Sequence, residues 1–225
     1  MYILKEYIEE HNWISQVILS IQDKIAKLNS KQNINLGLSG GSTPYPIYNH
    51  FNKLDIDWSL VNLICLDERL VNEDSVYSNW RNIKGSIGEN VLSNINSIAR
   101  FEYREDNVEQ EILKLENKLP DKMHITILGM GEDGHFASLF PNNKYLNLAS
   151  TKVIQTEAPE YLDIKRRVSL SAKYIFNSDY LIILLRGKNK RKSLDRLLDG
   201  DPKTDVFPAK MLLKHDNLEI HYLDI

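Results

Sequence analysis

Three short segments of this 225-residue chain carry residue types that could bind an anion or transfer a proton. The first is Gly40-Gly41-Ser42-Thr43-Pro44, in which glycines precede two hydroxyls and a proline. Thr43 is predicted to cap a helix that begins at Pro44, because these residue types favour the N-cap and first helical positions. Free N–H groups at the start of a helix attract phosphate. The segment is therefore either a phosphate-binding turn, formed by Gly40, Gly41, Ser42 and Thr43, or a capped turn that binds no ligand.

The second segment, residues 129–134, leads directly into His135. An imidazole with an ordinary pKa of about 6.5 can act as a general base at neutral pH. Asp133 lies two residues earlier and could orient the ring; the alternative is a histidine that only stabilises its loop. The segment also matches the G-x-G-x-x-G fingerprint of dinucleotide-binding proteins. We disfavour that interpretation, because Pro141 leaves little room for the helix that should follow and Glu132 and Asp133 would place carboxylates where a pyrophosphate binds.

The third segment, Asp67-Glu68-Arg69, follows an apolar run and includes a guanidinium whose donors match a phosphate or a carboxylate. Lys190 belongs to the cationic run 188–192, which begins a predicted helix. Cations there oppose the helix dipole, so an anion nearby would explain them. Arg166 and Arg167 add two further cations. Surface ion pairs and a solvated helix face are the alternatives for these residues.

Ser39 lies in Gly37-Leu38-Ser39-Gly40-Gly41, which matches the nucleophile elbow of serine hydrolases. Such elbows follow several strands of their sheet, whereas this one follows the first predicted strand. A serine hydrolase also needs a late histidine, and His215 and His221 lie in a segment without other catalytic residue types. We therefore predict that Ser39 shapes the turn and is not a nucleophile.

Alternating strands and helices must position these segments. Apolar runs and alternation predict strands at residues 34–38, 61–66, 98–101, 123–128, 152–156, 167–171, 180–185 and 218–223. Helical spacing predicts helices at residues 5–29, 45–51, 78–87, 108–119 and 190–198. This order predicts one α/β domain over residues 1–225, with a mostly parallel sheet and helices on both faces. Ligands bind beyond the carboxyl ends of such strands, and all three segments follow a predicted strand.

Composition narrows the function classes. The 28 Lys and Arg residues against 31 Asp and Glu residues give a net charge of −3, which argues against nucleic acid or an anionic membrane as a partner. Cys65 is the only cysteine, which excludes an internal disulfide and a cysteine-rich zinc site. No secretion signal or membrane-spanning apolar run is evident. We expect a cytoplasmic protein, monomeric or a small homo-oligomer, that acts on a small molecule without a metal.

The segments resemble the signatures of the 6-phosphogluconolactonase family. Residues 38–44 (LSGGSTP) resemble its first signature, and Asp67-Glu68-Arg69 followed by Ser78-Asn79 resembles its second. Residues 129–141 (GMGEDGHFASLFP) resemble its third, and residues 167–171 with Gly187 and Lys190 resemble weaker C-terminal blocks. Order and spacing agree across nearly the whole chain. Two positions depart from the family pattern: Phe136 replaces the usual Thr after the histidine, and Ala172 stands where a Pro is common.

The resemblance implies a Rossmann-like α/β fold and hydrolysis of 6-phospho-D-glucono-1,5-lactone to 6-phospho-D-gluconate in the oxidative pentose phosphate pathway, without a cofactor. It implies that His135, oriented by Asp133, activates water. Arg69 would contact the phosphate or polarise the carbonyl, and Phe136 could reshape the pocket floor. The other implied contacts with substrate or phosphate are Gly40, Gly41, Ser42, Thr43, Asp67, Arg167 and Lys190.

Two alternatives stay open. The related glucosamine-6-phosphate deaminases share the fold, but they usually carry Tyr where Arg69 stands and a Phe-Asn-Glu ending after the Gly-His motif. Residues 137–141 (ASLFP) take that place here, so the Glu of the deaminases' ring-opening chemistry is missing. A non-catalytic sugar-phosphate-binding protein would retain the anion turn but could lose the base, and His135 is present.

Overall fold

A seven-stranded parallel sheet lies at the centre of the protein. The computed structural model describes residues 2–28, 32–147, 151–201 and 203–225. The strands of this part of the chain are β1 (Ile3–Tyr7), β2 (Ile34–Leu38), β3 (Val61–Cys65), β4 (Asp67–Arg69), β5 (Ser97–Ala99), β6 (Ile125–Gly129), β7 (Val153–Glu157), β8 (Arg166–Leu170), β9 (Tyr180–Arg186) and β10 (Leu218–Leu223). The order in the large sheet is β1-β10-β9-β6-β2-β3-β5, and neighbouring strands are parallel throughout. The predicted α/β fold with a mostly parallel sheet is confirmed.

Helices cover both faces of the large sheet. They are α1 (Glu10–Ala26), α2 (Tyr45–Tyr48), α3 (Asn79–Ile87), α4 (Glu89–Leu92), α5 (Val108–Lys118), α6 (Ala172–Phe176) and α7 (Arg191–Leu198). The residues of β9 alternate between two hydrophobic cores, so that Ile182 packs with Trp13 of α1 and Ile183 belongs to the core that contains Leu194 of α7. Such strands, buried on both faces, appear as nearly continuous apolar runs in a sequence. In the described part of the chain, no helix has the length and apolar character needed to cross a membrane.

A second, antiparallel sheet adjoins the site edge, and the sequence did not predict it. Its strand order is β4-β8-β7. The register pairs Asp67 with Ser169 and Arg69 with Arg167. The sequence predicts β7 and β8 as strands, but it does not reveal that they leave the parallel sheet to pair with the short β4.

Two sequence predictions about local structure are wrong. Residues 5–29 are not one helix, because the chain first forms the edge strand β1, whose charged side chains hide its strand pattern, and only then α1. Thr43 does not cap α2. Pro44 is itself the N-cap, with φ of −79° in the helical region, and its carbonyl accepts hydrogen bonds from the N–H groups of Ile47 and Tyr48. Residues 41–44 therefore form a turn before the helix.

The order of the strands creates a crevice at one edge of the large sheet. From β2 the chain continues to β3 and β5 on one side, whereas β6, β9 and β10 lie on the other. The segments that follow β2 and β6 therefore diverge from neighbouring strands at the point where the order reverses. Open α/β sheets bind their ligands at such a switch point.

Candidate active site

A cavity of about 250 Å³ lies at this crevice. Its walls come from the segments that follow β2, β3, β6 and β9, together with the second sheet. The lining includes every predicted site residue except Asp133, which contacts His135: Gly40, Gly41, Ser42, Thr43, Asp67, Arg69, His135, Arg167 and Lys190. The fold thus brings together residues that lie up to 150 positions apart in the sequence (190 − 40 = 150).

His135 and Asp133 form a hydrogen-bonded pair. His135 Nδ1 lies 2.6 Å from Asp133 Oδ1, and the His135 backbone N–H donates to the same oxygen over 3.1 Å. Partial burial alone would raise the pKa of Asp133, but the hydrogen bonds and charge of His135, with a further bond from Tyr161, lower this pKa to about 2. Asp133 is therefore an anion at neutral pH. It favours the neutral tautomer that has its proton on Nδ1 and a free lone pair on Nε2.

One glycine and an aromatic ring confine the imidazole. A Cβ atom at Gly131 would lie 2.1 Å from His135 Nδ1 and 2.6 Å from Asp133 Oδ1, so only glycine leaves room for the pair. The ring of Phe140 packs against the imidazole, with 4.6 Å between the ring centroids. The loop therefore holds the imidazole in one orientation.

The turn after β2 presents backbone N–H groups at the cavity wall. Gly41 has φ of +101°, a left-handed value that favours glycine, and its N–H donates to Tyr45 Oη over 3.0 Å. The N–H groups of Gly40, Ser42 and Thr43 have no acceptor among the residues that the structure describes. Unpaired N–H groups around a concave turn suit an anion.

Three cations line the same cavity, and each is held by neutral oxygen atoms. Arg69 Nη1 donates to the carbonyl of Tyr77, Arg167 Nε donates to that of Ile164, and Lys190 Nζ donates to that of Met130. Within the described ranges none of the three forms an ion pair with a carboxylate. Burial, followed by the charge of Arg69, lowers the pKa of Arg167 to about 10, and burial also lowers the pKa of Lys190. The surroundings thus disfavour the charges of Arg167 and Lys190, and a bound anion would offset that penalty.

Comparison with known proteins identifies the family. A family model described as glucosamine-6-phosphate isomerases/6-phosphogluconolactonase matches residues 9–221. The chain belongs to this family. It is 30% identical over 209 residues to the 6-phosphogluconolactonase of Thermotoga maritima, an alignment that covers 89% of this chain and 91% of the relative.

Solved structures of the family share the whole fold. A crystal structure of 6-phosphogluconolactonase from Thermotoga maritima superposes with a TM-score of 0.83 at 26% identity and covers 100% of both chains. A monomeric glucosamine-6-phosphate deaminase superposes with a TM-score of 0.79 at 19% identity, covering 99% of this chain and 97% of the other. The second likeness shows the fold alone, so only the residues of the site can separate the two activities of the family.

Asn79 and Glu68 belong to the site region, although the sequence reasoning did not select them. Asn79 lines the cavity and accepts a hydrogen bond from Arg69. Glu68 is buried behind it and accepts hydrogen bonds from the first residues of α3. Burial raises the pKa of Glu68, and the backbone N–H groups around it oppose that rise. The available signal was the Ser78-Asn79 part of the second signature, in which Ser78 is an N-cap residue that places Asn79 at the start of a helix close to the acidic segment.

Other predicted features lie outside the cavity. Within the cationic run 188–192 only Lys190 lines it, and Arg191 pairs instead with Glu6 and Asp195. Phe136 is buried and does not line the cavity, whereas the next residue, Ala137, does so with φ of +48°. Asp67 lines the cavity while its Oδ2 accepts from Ser138 Oγ over 2.7 Å, so its remaining oxygen suits a sugar hydroxyl better than a phosphate.

The structure offers no support for the two competing motifs. Ser39 Oγ accepts a hydrogen bond from the Gly129 N–H over 2.9 Å. His215 bonds to the Ser178 carbonyl and His221 to Glu219, so neither histidine serves Ser39. After Gly134 the chain forms an isolated bridge and no α-helix, which removes the helix that a dinucleotide fingerprint requires.

Proposed function

We propose that the protein is a 6-phosphogluconolactonase, which hydrolyses 6-phospho-D-glucono-1,5-lactone to 6-phospho-D-gluconate in the oxidative pentose phosphate pathway. One observation carries the proposal: His135, paired with an ionised carboxylate, lines the same cavity as three cations that have no carboxylate partner among the described residues. A base and an anion site in one cavity suit a phosphorylated ester. The relatives named for this reaction support it.

The phosphate group binds to the turn after β2 and to the cations. The glycine turn and the guanidinium of Arg69 lie on the same side of the site, because Asn79 packs against Gly40 and accepts a hydrogen bond from Arg69. Arg167 faces Arg69, and Lys190 contributes a third charge. Charged donors of this kind are the stronger class of hydrogen bond to phosphate.

Water attacks the lactone without a covalent enzyme intermediate, because a δ-lactone is an activated ester. His135 Nε2 accepts a proton from water while the water oxygen bonds to the lactone carbonyl carbon and forms a tetrahedral oxyanion. The oxyanion then reforms the carbonyl, and the bond between this carbon and the ring oxygen breaks. The imidazolium returns its proton to the departing ring oxygen. Asp133 stabilises the imidazolium throughout, and one water molecule is consumed.

Two other functions use the same scaffold and are separated by the site. A glucosamine-6-phosphate deaminase would use the ring-opening Glu, which residues 137–141 lack. A binding protein without activity would not need the His135–Asp133 pair. The site therefore supports both of these functions less well than it supports lactone hydrolysis. A cytoplasmic location, and a monomer or small homo-oligomer without a cofactor, complete the proposal.

A three-way assay tests the function. Purified protein is given 6-phosphogluconolactone, and acid release is followed above the spontaneous rate; in parallel, ammonia release from glucosamine 6-phosphate is measured. Lactone hydrolysis without ammonia supports the proposal. Ammonia release would assign the deaminase activity, and binding of 6-phosphogluconate without either reaction would assign a sugar-phosphate-binding protein.

A further inference from the structure

Asn79 holds the guanidinium of Arg69 without neutralising it. Arg69 Nη1 donates to Asn79 Oδ1 and, over 3.0 Å, to the carbonyl of Tyr77. Both acceptors are neutral. An amide oxygen orients a guanidinium and leaves its full charge available, whereas a carboxylate in the same place would pair with that charge.

Asn79 is itself fixed from several directions. It is 1% exposed, its Nδ2 donates to the Asp67 carbonyl over 3.0 Å, and its backbone N–H donates to Glu68 Oε1 over 2.7 Å. A Cβ atom at Gly40 would lie 2.0 Å from Asn79 Oδ1, so the glycine turn packs directly against the amide. One side chain therefore sets the position of Arg69 relative to the turn.

The nearby carboxylate of Glu68 is directed away from this contact. Its two oxygens accept from the backbone N–H groups of Arg69, Asn79 and Trp80, at 2.8, 2.7 and 2.8 Å, and from Ser78 Oγ at 3.1 Å. Glu68 thus stabilises the start of α3, where a negative charge is favourable. Within the described part of the chain, no hydrogen bond joins Glu68 to the guanidinium, which stays available to a ligand.

We propose that Asn79 is a positioning residue for phosphate recognition. Its amide oxygen holds Arg69 beside the glycine turn and preserves the positive charge that a phosphate monoester requires. The amide at position 79, rather than a carboxylate of the same shape, thereby sets the preference for a phosphorylated over an unphosphorylated sugar acid. This inference rests on the proposed function, since it assumes that the ligand carries a phosphate.

Calorimetric titration of Asn79→Asp with 6-phosphogluconate and with gluconate tests the role. The substitution keeps the shape and the acceptor oxygen but pairs Arg69 with a carboxylate. The expected result is a roughly ten- to hundredfold loss of affinity for 6-phosphogluconate, the range for one charged partner, with little change for gluconate. Asn90→Asp is the matched control, because Asn90 is exposed in the neighbouring helix α4 and lies outside the cavity lining. It should bind both ligands as the wild type does.

A second variant keeps the test decisive if Asn79→Asp does not fold. Asn79→Ala removes the acceptor without adding charge, and it should raise the KM for the phosphorylated lactone by roughly two- to tenfold while kcat stays near the wild-type value. Two results would contradict the positioning role of Asn79: both variants keep the wild-type selectivity for 6-phosphogluconate, or they lose affinity equally for 6-phosphogluconate and gluconate. Failure of the proposed function is a different result, because the wild-type protein itself would then bind 6-phosphogluconate no better than gluconate.

Discussion

Arg69 and Arg167 face each other as directly paired residues of the antiparallel strands β4 and β8. Like charges in this position destabilise a sheet, and Arg167 is only 7% exposed, so water screens it weakly. Both side chains reach the cavity, where no described carboxylate pairs with either of them. The fold therefore accepts a repulsion between these two residues that a bound anion would relieve.

Arg167→Met tests this relationship through ligand-induced stabilisation. At a 6-phosphogluconate concentration 100 times the wild-type Kd, the ligand should stabilise the wild-type protein by about 2.7 kcal/mol. A ten- to hundredfold weaker Kd in the variant reduces that gain to about 0.4–1.4 kcal/mol. Thermal unfolding with and without ligand measures both values. Arg166→Met, next to it but outside the cavity lining, should respond as the wild type does, and an undiminished gain in Arg167→Met would contradict the role of Arg167.

Lys190→Ala should raise the KM for the phosphorylated lactone by roughly ten- to a hundredfold, because a charged hydrogen-bond partner of the phosphate is lost. The lactone without a phosphate should be a poor substrate of the wild-type enzyme. Initial rates on both lactones, corrected for spontaneous hydrolysis, measure these effects. Lys192→Ala removes a lysine of the same cationic run that does not line the cavity and should change neither rate. Equal turnover of both lactones by the wild-type enzyme at low concentration would contradict the proposed phosphate site.

The sequence predicted the site better than it predicted the contacts within it. Parallel strands expose their carboxyl ends at one edge, so the glycine turn, Arg69 and His135 could be placed together from strand order alone. The pairing of Arg69 with Arg167 depends on an antiparallel register between segments about 100 residues apart, which no local pattern encodes. The expected cap at Thr43 was wrong because capping preferences are local and weak beside the backbone constraint of Pro44.

Ser39→Ala separates water attack from a serine nucleophile. Ser39 Oγ accepts from the Gly129 N–H at the half-buried end of β6, so its loss should destabilise the protein by about 0.5–1.5 kcal/mol, the usual net contribution of one hydrogen bond. The kcat of Ser39→Ala should stay within a few-fold of the wild-type value. In the wild-type protein, which retains Ser39, mass spectra taken after rapid mixing with the lactone should show no acyl-enzyme. A folded variant with activity reduced by several orders of magnitude would favour the serine-hydrolase mechanism.

Gly131→Ala should displace the His135–Asp133 pair, because the added Cβ atom would lie 2.1 Å from His135 Nδ1. We expect kcat to fall by roughly tenfold or more, because a small misplacement of catalytic groups slows the reaction strongly. The Kd for 6-phosphogluconate should change much less. Gly85→Ala is the control: it lies within α3, no atom beyond its chain neighbours and its own helical backbone lies within 4 Å of the added Cβ, and alanine should stabilise the helix by about 0.5–1 kcal/mol. Wild-type kcat in a folded Gly131→Ala variant would show that the pair is not needed.

His135→Asn tests the base itself. The variant retains polarity but loses the basic nitrogen, and kcat should fall by ~10²–10⁴, the usual contribution of general-base catalysis, with substrate binding largely intact. Asp133 stays ionised far into the acid range: its pKa is lowered to about 2, so the stability it contributes is present above its unfolded pKa of 3.8 and is lost only as the pH falls towards 2. The loss of kcat in His135→Asn is measured above that range, after spontaneous hydrolysis is subtracted. A folded variant with near-normal kcat would assign water activation to another group.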